Sequence, residues 1–257
     1  MNLHAVEDPL PYCQINARLT LDERKMNLFN YCEHAMNNTP QPIMPIADTT
    51  NTDAIPSPWE DWFEASYQPF SIQACVEEQL LQNAVFVRLQ PLLQQRLMQL
   101  LQAITEITLG ENLLTVHGLT ANPPAETLWE WEWMLSTNSS IQAWNVEHRQ
   151  KDSPTDVLSF PTFGSEQLTP EADPMMLAFY EAQKQQGGSL GTIVVSWEYA
   201  QQAIAATSAD DDTLINYVLE RFCHGCLHLL GVHHETQAAY ERVVVLQANA
   251  LERVKQL

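Results

Sequence analysis

The stretch His224-Gly225-Cys226-Leu227-His228-Leu229-Leu230-Gly231-Val232-His233-His234 constrains the possible folds of this chain more than any other. It closes a segment, 212–230, that is apolar on nearly every face of a helix. Such a helix belongs in the centre of a fold, packed on most sides. Asp210, Asp211 and Asp212 stand at its start, where the helix dipole favours negative charge. Two histidines four apart share one helical face, one turn from each other. Gly231 then predicts the helix stop, because glycine takes the left-handed conformation at C′ without strain. Beyond it the chain turns back and delivers a third histidine. Three neutral imidazoles meeting from one side make a zinc site of the catalytic kind, with the fourth tetrahedral position open to water or substrate.

His233 and His234 both follow the glycine, and the His-x-x-x-His-x-x-Gly-x-x-His spacing selects His234. The expected ligands are therefore His224, His228 and His234, holding one zinc per chain. This spacing is that of the metzincin proteases, which carry a glutamate directly after the first histidine as general base. Here that position is Gly225, so the protease base is missing. A zinc-bound water has its pKa lowered to about 7 and does not need a protein base. Cys223 and Cys226 form a C-x-x-C. Cys226 lies about 200° around the helix from His224, on the side away from the metal face. The pair reads as buried small hydrophobes rather than a redox centre.

A second island runs Asn145-Val146-Glu147-His148-Arg149-Gln150-Lys151-Asp152-Ser153-Pro154-Thr155-Asp156-Val157-Leu158-Ser159-Phe160-Pro161, and a third Leu190-Gly191-Thr192-Ile193-Val194-Val195-Ser196. In this order, with the histidine island after them, they resemble the YbeY family of metal-dependent endoribonucleases, the rRNA maturation factors. The resemblance covers roughly residues 113–257. It implies a zincin-like fold and places a functional arginine at Arg149. It also implies action on single-stranded ribosomal RNA, maturation of the small-subunit rRNA 3′ end and ribosome quality control. The implied partners are the small ribosomal subunit and the GTPase Era. Some positions depart from the family pattern. Thr192 replaces its usual Asp, Val232-His233 its usual Tyr-Asp, and His148 its usual Tyr. A carboxylate beside a metal ligand often orients an imidazole, so losing two of them predicts weaker or retuned metal binding.

Charge works against that function. The net charge is −20, with 12 Lys and Arg against 32 Asp and Glu. Nucleic-acid-binding chains normally carry a basic footprint, so long-range steering toward RNA is expected to be weak. Arg149 and Lys151 offer only a local basic spot. Asp156 and Ser159 are candidates to orient water or the arginine, although Thr155 and Asp156 fit a turn-shaping role better. Glu235 reads as a solvated carboxylate at the start of the next helix. His117 and His148 read as core or surface singletons.

Hydrophobic residues are 45% of the chain, enough for an ordinary core. There is no apolar run of eighteen, which argues against a membrane span, and no apolar leader follows the N-terminus. The cysteines Cys13, Cys32, Cys75, Cys223 and Cys226 are odd in number and show no framework spacing. That pattern points to a reducing compartment and a cytoplasmic setting. Residues 1–57, with five prolines between Asn37 and Pro58, read as a loosely structured or disordered extension containing at most a short helix over 21–36. The metal-dependent hydrolase domain is expected over 58–257.

Within that domain, 76–108 has a helical pattern that Pro91 should kink or split. Residues 113–119 read as a strand. The segment 126–143 is ambiguous. Alternating Trp129, Trp131 and Trp133 favour a strand, while the order of elements in the resembled family favours a helix. Asp156–Phe160 and Leu190–Ser196 read as strands, the latter buried. Residues 236–256 form an amphipathic helix with Tyr240, Val243, Val244, Leu251 and Val254 on its apolar side, expected to pack over the sheet. Helices and strands mix without strict βαβ alternation, giving an α+β class: a mixed sheet with a central buried helix that carries the histidines.

The expected activity is metal-dependent endoribonuclease. The alternatives are a zinc hydrolase of another class, such as a peptidase, which Gly225 disfavours, and a non-catalytic ribosome-associated factor that keeps its metal for stability.

Overall fold

The computed structural model describes residues 58–114, 127–162, 187–205 and 210–257. The extension expected over 1–57, most of the strand expected over 113–119, and His117 lie outside these residues. Leu113 and Leu114, which begin that predicted strand, are buried in a turn following a helix.

Five strands form one mixed sheet in the order β1-β2-β3-β5-β4. These are β1 (Trp59–Tyr67), β2 (Phe70–Glu77), β3 (Leu128–Ser136), β4 (Val157–Pro161) and β5 (Gly187–Ser196). β1–β2 and β4–β5 pair antiparallel, whereas β2–β3 and β3–β5 pair parallel. Five α-helices accompany the sheet in the described residues, besides a short 3-10 helix over Glu78–Gln82: α1 (Ala84–Gly110), α2 (Asn138–Arg149), α3 (Trp197–Ala205), α4 (Asp211–Leu229) and α5 (Gln237–Gln256). The architecture is α+β.

The tryptophan ambiguity at 126–143 resolves into both elements in succession. Trp129, Trp131 and Trp133 alternate along β3 and are all buried, so the period of two prevails over that part. Thr137 then caps α2 through its hydroxyl, which accepts from the Ser140 N–H. On the tryptophan face, Trp131 stacks on Phe70 at 4.5 Å and Trp133 on Phe222 of α4 at 5.0 Å. Burying each such aromatic contributes roughly 1.5–3 kcal/mol, so this face holds much of the driving force for placing α4 against the sheet. The opposite face packs Met134, Leu158 and Val194 against Ile141 and Trp144 of α2.

Three further expectations need correction. Val76 lies in β2, so the helical pattern over 76–108 begins too early. Pro91 does not split α1, which runs unbroken from Ala84 to Gly110. The carbonyl that Pro91 leaves without a helical donor belongs to Val87, an exposed residue, so water can serve it. Finally, α5 packs against α1 and α4 rather than over the sheet. Its buried stripe is Val243, Leu246, Gln247, Ala250 and Val254, while Tyr240 and Val244, expected on the apolar side, are exposed.

Candidate metal centre

α4 supplies the core of the site. Asp210 caps its start, accepting from the Thr213 backbone N–H at 3.0 Å and the Thr213 hydroxyl at 2.8 Å. Leu214, Ile215, Val218, Leu219, Phe222, Cys223 and Cys226 are buried along its length, leaving one stripe open. Gly225 explains how closely the helix approaches the sheet. A Cβ there would lie 2.5 Å from Ile193 Cγ2. The position where a zincin protease would carry its glutamate therefore has no room for any side chain.

The helix ends as the glycine predicts. Gly231 has φ of 77°, its N–H donates to the His228 carbonyl at 2.9 Å, and the Val232 N–H donates to the Leu227 carbonyl at 2.9 Å. This is the paired hydrogen-bond pattern of a Schellman turn, with buried Val232 as its apolar anchor. The turn swings His233 and His234 back toward the helix end.

His224, His228 and His234 each offer a nitrogen, and the three lie within 4.8 Å of one another. The Nε2 atoms of His224 and His228 are 2.8 Å apart, with ring centroids at 4.3 Å. The His234 ring lies 5.4 Å from that of His224 and 5.0 Å from that of His228. Burial lowers the pKa of His224, and burial together with the neighbouring imidazoles lowers that of His228 to about 4. Rings kept neutral at pH 7 keep their lone pairs for a metal, so the donor set fits a divalent ion of zinc's preference.

These histidines line a cleft of about 470 Å³ together with Arg149, Thr155, Asp156 and Ser159. Arg149 is the last residue of α2. Gln150 caps that helix in the left-handed conformation, φ 56°, and turns the chain toward β4. Among the described residues no carboxylate pairs with Arg149. A larger groove of about 590 Å³ runs between α1 and α5 beside Glu106, Glu111, Glu252 and Arg253. It gathers no comparable set of ligands, so the smaller cleft is the chemical one.

Asp156 plays both a turn and a pairing role. Its Oδ1 accepts from the Val157 N–H at 3.0 Å, and its Oδ2 lies 2.6 Å from Nε of Arg221. The arginine it holds is thus Arg221 on α4, with its guanidinium 4.4 Å over the Tyr217 ring, and not Arg149. The pair ties the start of β4 to the histidine helix. Two contributors escaped the sequence reading. One is Arg221. The other is Gln247 of α5, whose Oε1 faces His224 Nδ1 at 3.1 Å while its amide donates to the Glu220 carbonyl at 3.4 Å. A glutamine inside an otherwise apolar stripe was the available signal for Gln247.

The departures from the family pattern separate by position. Ile193 meets Gly225 of α4, so its neighbour Thr192 points to the opposite face of the sheet. There Thr192 donates to Glu132 at 2.7 Å, away from the histidines. His148 packs edge-on against Phe160 and stays outside the histidine cluster. Glu235 is exposed, just ahead of the α5 cap Thr236. Cys223 and Cys226 are free thiols in the core, and burial pushes Cys223 up to about 12.

The sequence profile described as Endoribonuclease YbeY matches residues 94–255. The chain belongs to the YbeY family. Curated relatives of that name include proteins from Sulfurovum sp., 36% identical over 110 residues, and Magnetococcus marinus, 32% identical over 102 residues. A third, from Helicobacter hepaticus, is 37% identical over 100 residues. The matches cover 42%, 40% and 39% of this chain and 61%, 62% and 54% of the respective YbeY proteins, so it spans about three fifths of their length or less. A solution structure from Thermotoga maritima is similar at 20% identity and a TM-score of 0.36, covering 71% of this chain and 88% of that one. No described helix is long and apolar enough to cross a membrane.

Proposed function

We propose that this chain is a single-strand-specific, metal-dependent endoribonuclease with a zincin-like arrangement of sheet and histidine helix. Its role is maturation of the small-subunit rRNA 3′ end and ribosome quality control in the cytoplasm. Its partners in this reading are ribosomal RNA, the small ribosomal subunit and the GTPase Era. The observation that carries the reading is the meeting of three imidazoles and one arginine without a described ion-pair partner in a single cleft. The family membership supports the nuclease class over other zinc hydrolases. Gly225, with no space for a base, argues against a peptidase.

His224, His228 and His234 would hold one zinc ion. When bound, zinc supplies a Lewis acid that polarises a phosphoryl oxygen and acidifies water. Arg149 binds the scissile phosphate, its planar guanidinium meeting two non-bridging oxygens as negative charge grows on them. Asp156 and Arg221 hold the β4 end of the cleft against α4. The acidic surface gives little help in attracting RNA, so affinity must come from these local contacts or from the ribosomal particle.

The test is cleavage of a fluorophore-labelled single-stranded RNA by wild type, Arg149→Ala, Arg149→Lys and His228→Ala at matched metal loading. Arg149→Ala should lose roughly a hundredfold in rate with metal content and stability unchanged, and lysine should restore only part of it. His228→Ala should lose both metal and cleavage. An alanine variant cutting at the wild-type rate removes Arg149 from the chemistry. A metal-loaded wild type inert on every RNA, including ribosomal particles, refutes the nuclease and favours a non-catalytic ribosome-associated factor.

A further inference from the structure

His233 stands beside the three clustered histidines without joining them. Its Nδ1 lies 3.2 Å from Nδ1 of His228, with the two rings 5.3 Å apart and inclined by 23°. The other nitrogen of His228, Nε2, is the one 2.8 Å from His224. The two nitrogens of the His228 ring thus face different partners: Nε2 the ligand cluster, Nδ1 His233. The Gly231 turn produces this arrangement. Val232 is buried as the anchor, so the two residues after it emerge on either side of the His228 ring, His234 toward the cluster and His233 behind it.

An imidazole that gives the Nε2 lone pair to a metal carries its proton on Nδ1, and that N–H needs an acceptor to hold the ring in place. For His224 the acceptor is Gln247 Oε1. From the matching geometry at His228, we infer that His233 is a positioning residue. In its Nε2–H tautomer it accepts the Nδ1 proton of His228 and so presents Nε2 of His228 to the metal. The inference rests on the reading of His224, His228 and His234 as metal ligands. It assigns His233 a role separate from ligation, because His233 meets the nitrogen of His228 that does not face the cluster.

Zinc affinity tests this, measured by competition with a chromophoric chelator on the full chain for wild type, His233→Ala, His233→Asp and His234→Ala. His233→Ala should bind zinc about 10–100-fold more weakly while still reaching one zinc per chain at saturation. His233→Asp supplies an acceptor oxygen and should restore affinity to at least the wild-type value. Metal-free thermal melts of all variants should coincide within a few degrees. If the alanine variant fails to fold, His233→Phe, a ring without an acceptor, takes its place. Wild-type affinity in the acceptor-less variant overturns the positioning role. Loss of stoichiometric zinc in that variant, with no rescue by aspartate and with His234→Ala retaining zinc, would make His233 the third ligand and overturn it as well. Absence of zinc binding by wild type refutes the metal centre itself, a result distinguishable from either.

Discussion

The close approach at Gly225 predicts a penalty for the smallest possible side chain. In Gly225→Ala the new methyl would lie 2.5 Å from Ile193 Cγ2 and 3.0 Å from Cγ1 and Cδ1. Apolar carbons prefer about 3.5–4.0 Å. Ile193 is fully buried in β5, so it has no open space to turn into. Overpacking typically costs about 1–3 kcal/mol, and a 2.5 Å contact against a buried side chain belongs at the upper end, about 2–3 kcal/mol. Replacing a mid-helix glycine by alanine returns about 1 kcal/mol through helix propensity. The net expectation is destabilisation of about 1–2 kcal/mol, a fall in melting temperature of roughly 2–8 °C for a chain of this size. Urea and thermal unfolding of the full chain measure it, and a double-mutant cycle assigns it. Ile193→Ala alone should cost about 2–5 kcal/mol through the cavity it leaves. In the Gly225→Ala background it should cost about 1–2 kcal/mol less, because the added methyl then occupies vacated space. If Gly225→Ala is as stable as wild type or more so, helix propensity outweighs packing. If the two substitutions add without coupling, the glycine does not serve the contact between α4 and β5.

Gln247→Leu keeps the buried volume of α5 but removes the acceptor at His224 Nδ1. It should weaken zinc binding by about tenfold, with unfolding midpoints little changed, as read by the same chelator competition and urea titrations. Unaltered affinity would show that His224 needs no partner. Cys223 and Cys226 should resist iodoacetamide in the native protein and react on denaturation, as followed by peptide mass spectrometry. Rapid native labelling, or a disulfide between them, would contradict their burial as inert core residues.

The features legible in the amino-acid order are those in which chemistry follows short spacing. The i,i+4 histidines, the left-handed stop at Gly231 and the acidic start of α4 each depend on residues within a few positions. They could therefore be read without knowing what packs around them. The strands β4 and β5 were legible for the same reason, as β-branched and apolar runs between turn residues. The sequence could not say that Pro91 would sit harmlessly on the wet face of α1, since that depends on which side of the helix the rest of the chain covers. Nor could it decide how far β3 extends before α2 begins: the tryptophan alternation is a local signal, but the helix that follows is set by the Thr137 cap and by Ile141 and Trp144 packing on the sheet. The same limit applies to the site. That Asp156 holds Arg221, that Gln247 reaches His224 from α5, and that Thr192 faces away from the histidines while His233 meets His228 all depend on packing or on the path of a turn. Tertiary structure alone decided them, because α5, β4 and β5 are brought to α4 by burial of apolar surface, which fixes which polar side chains meet but leaves no spacing in the sequence to announce them.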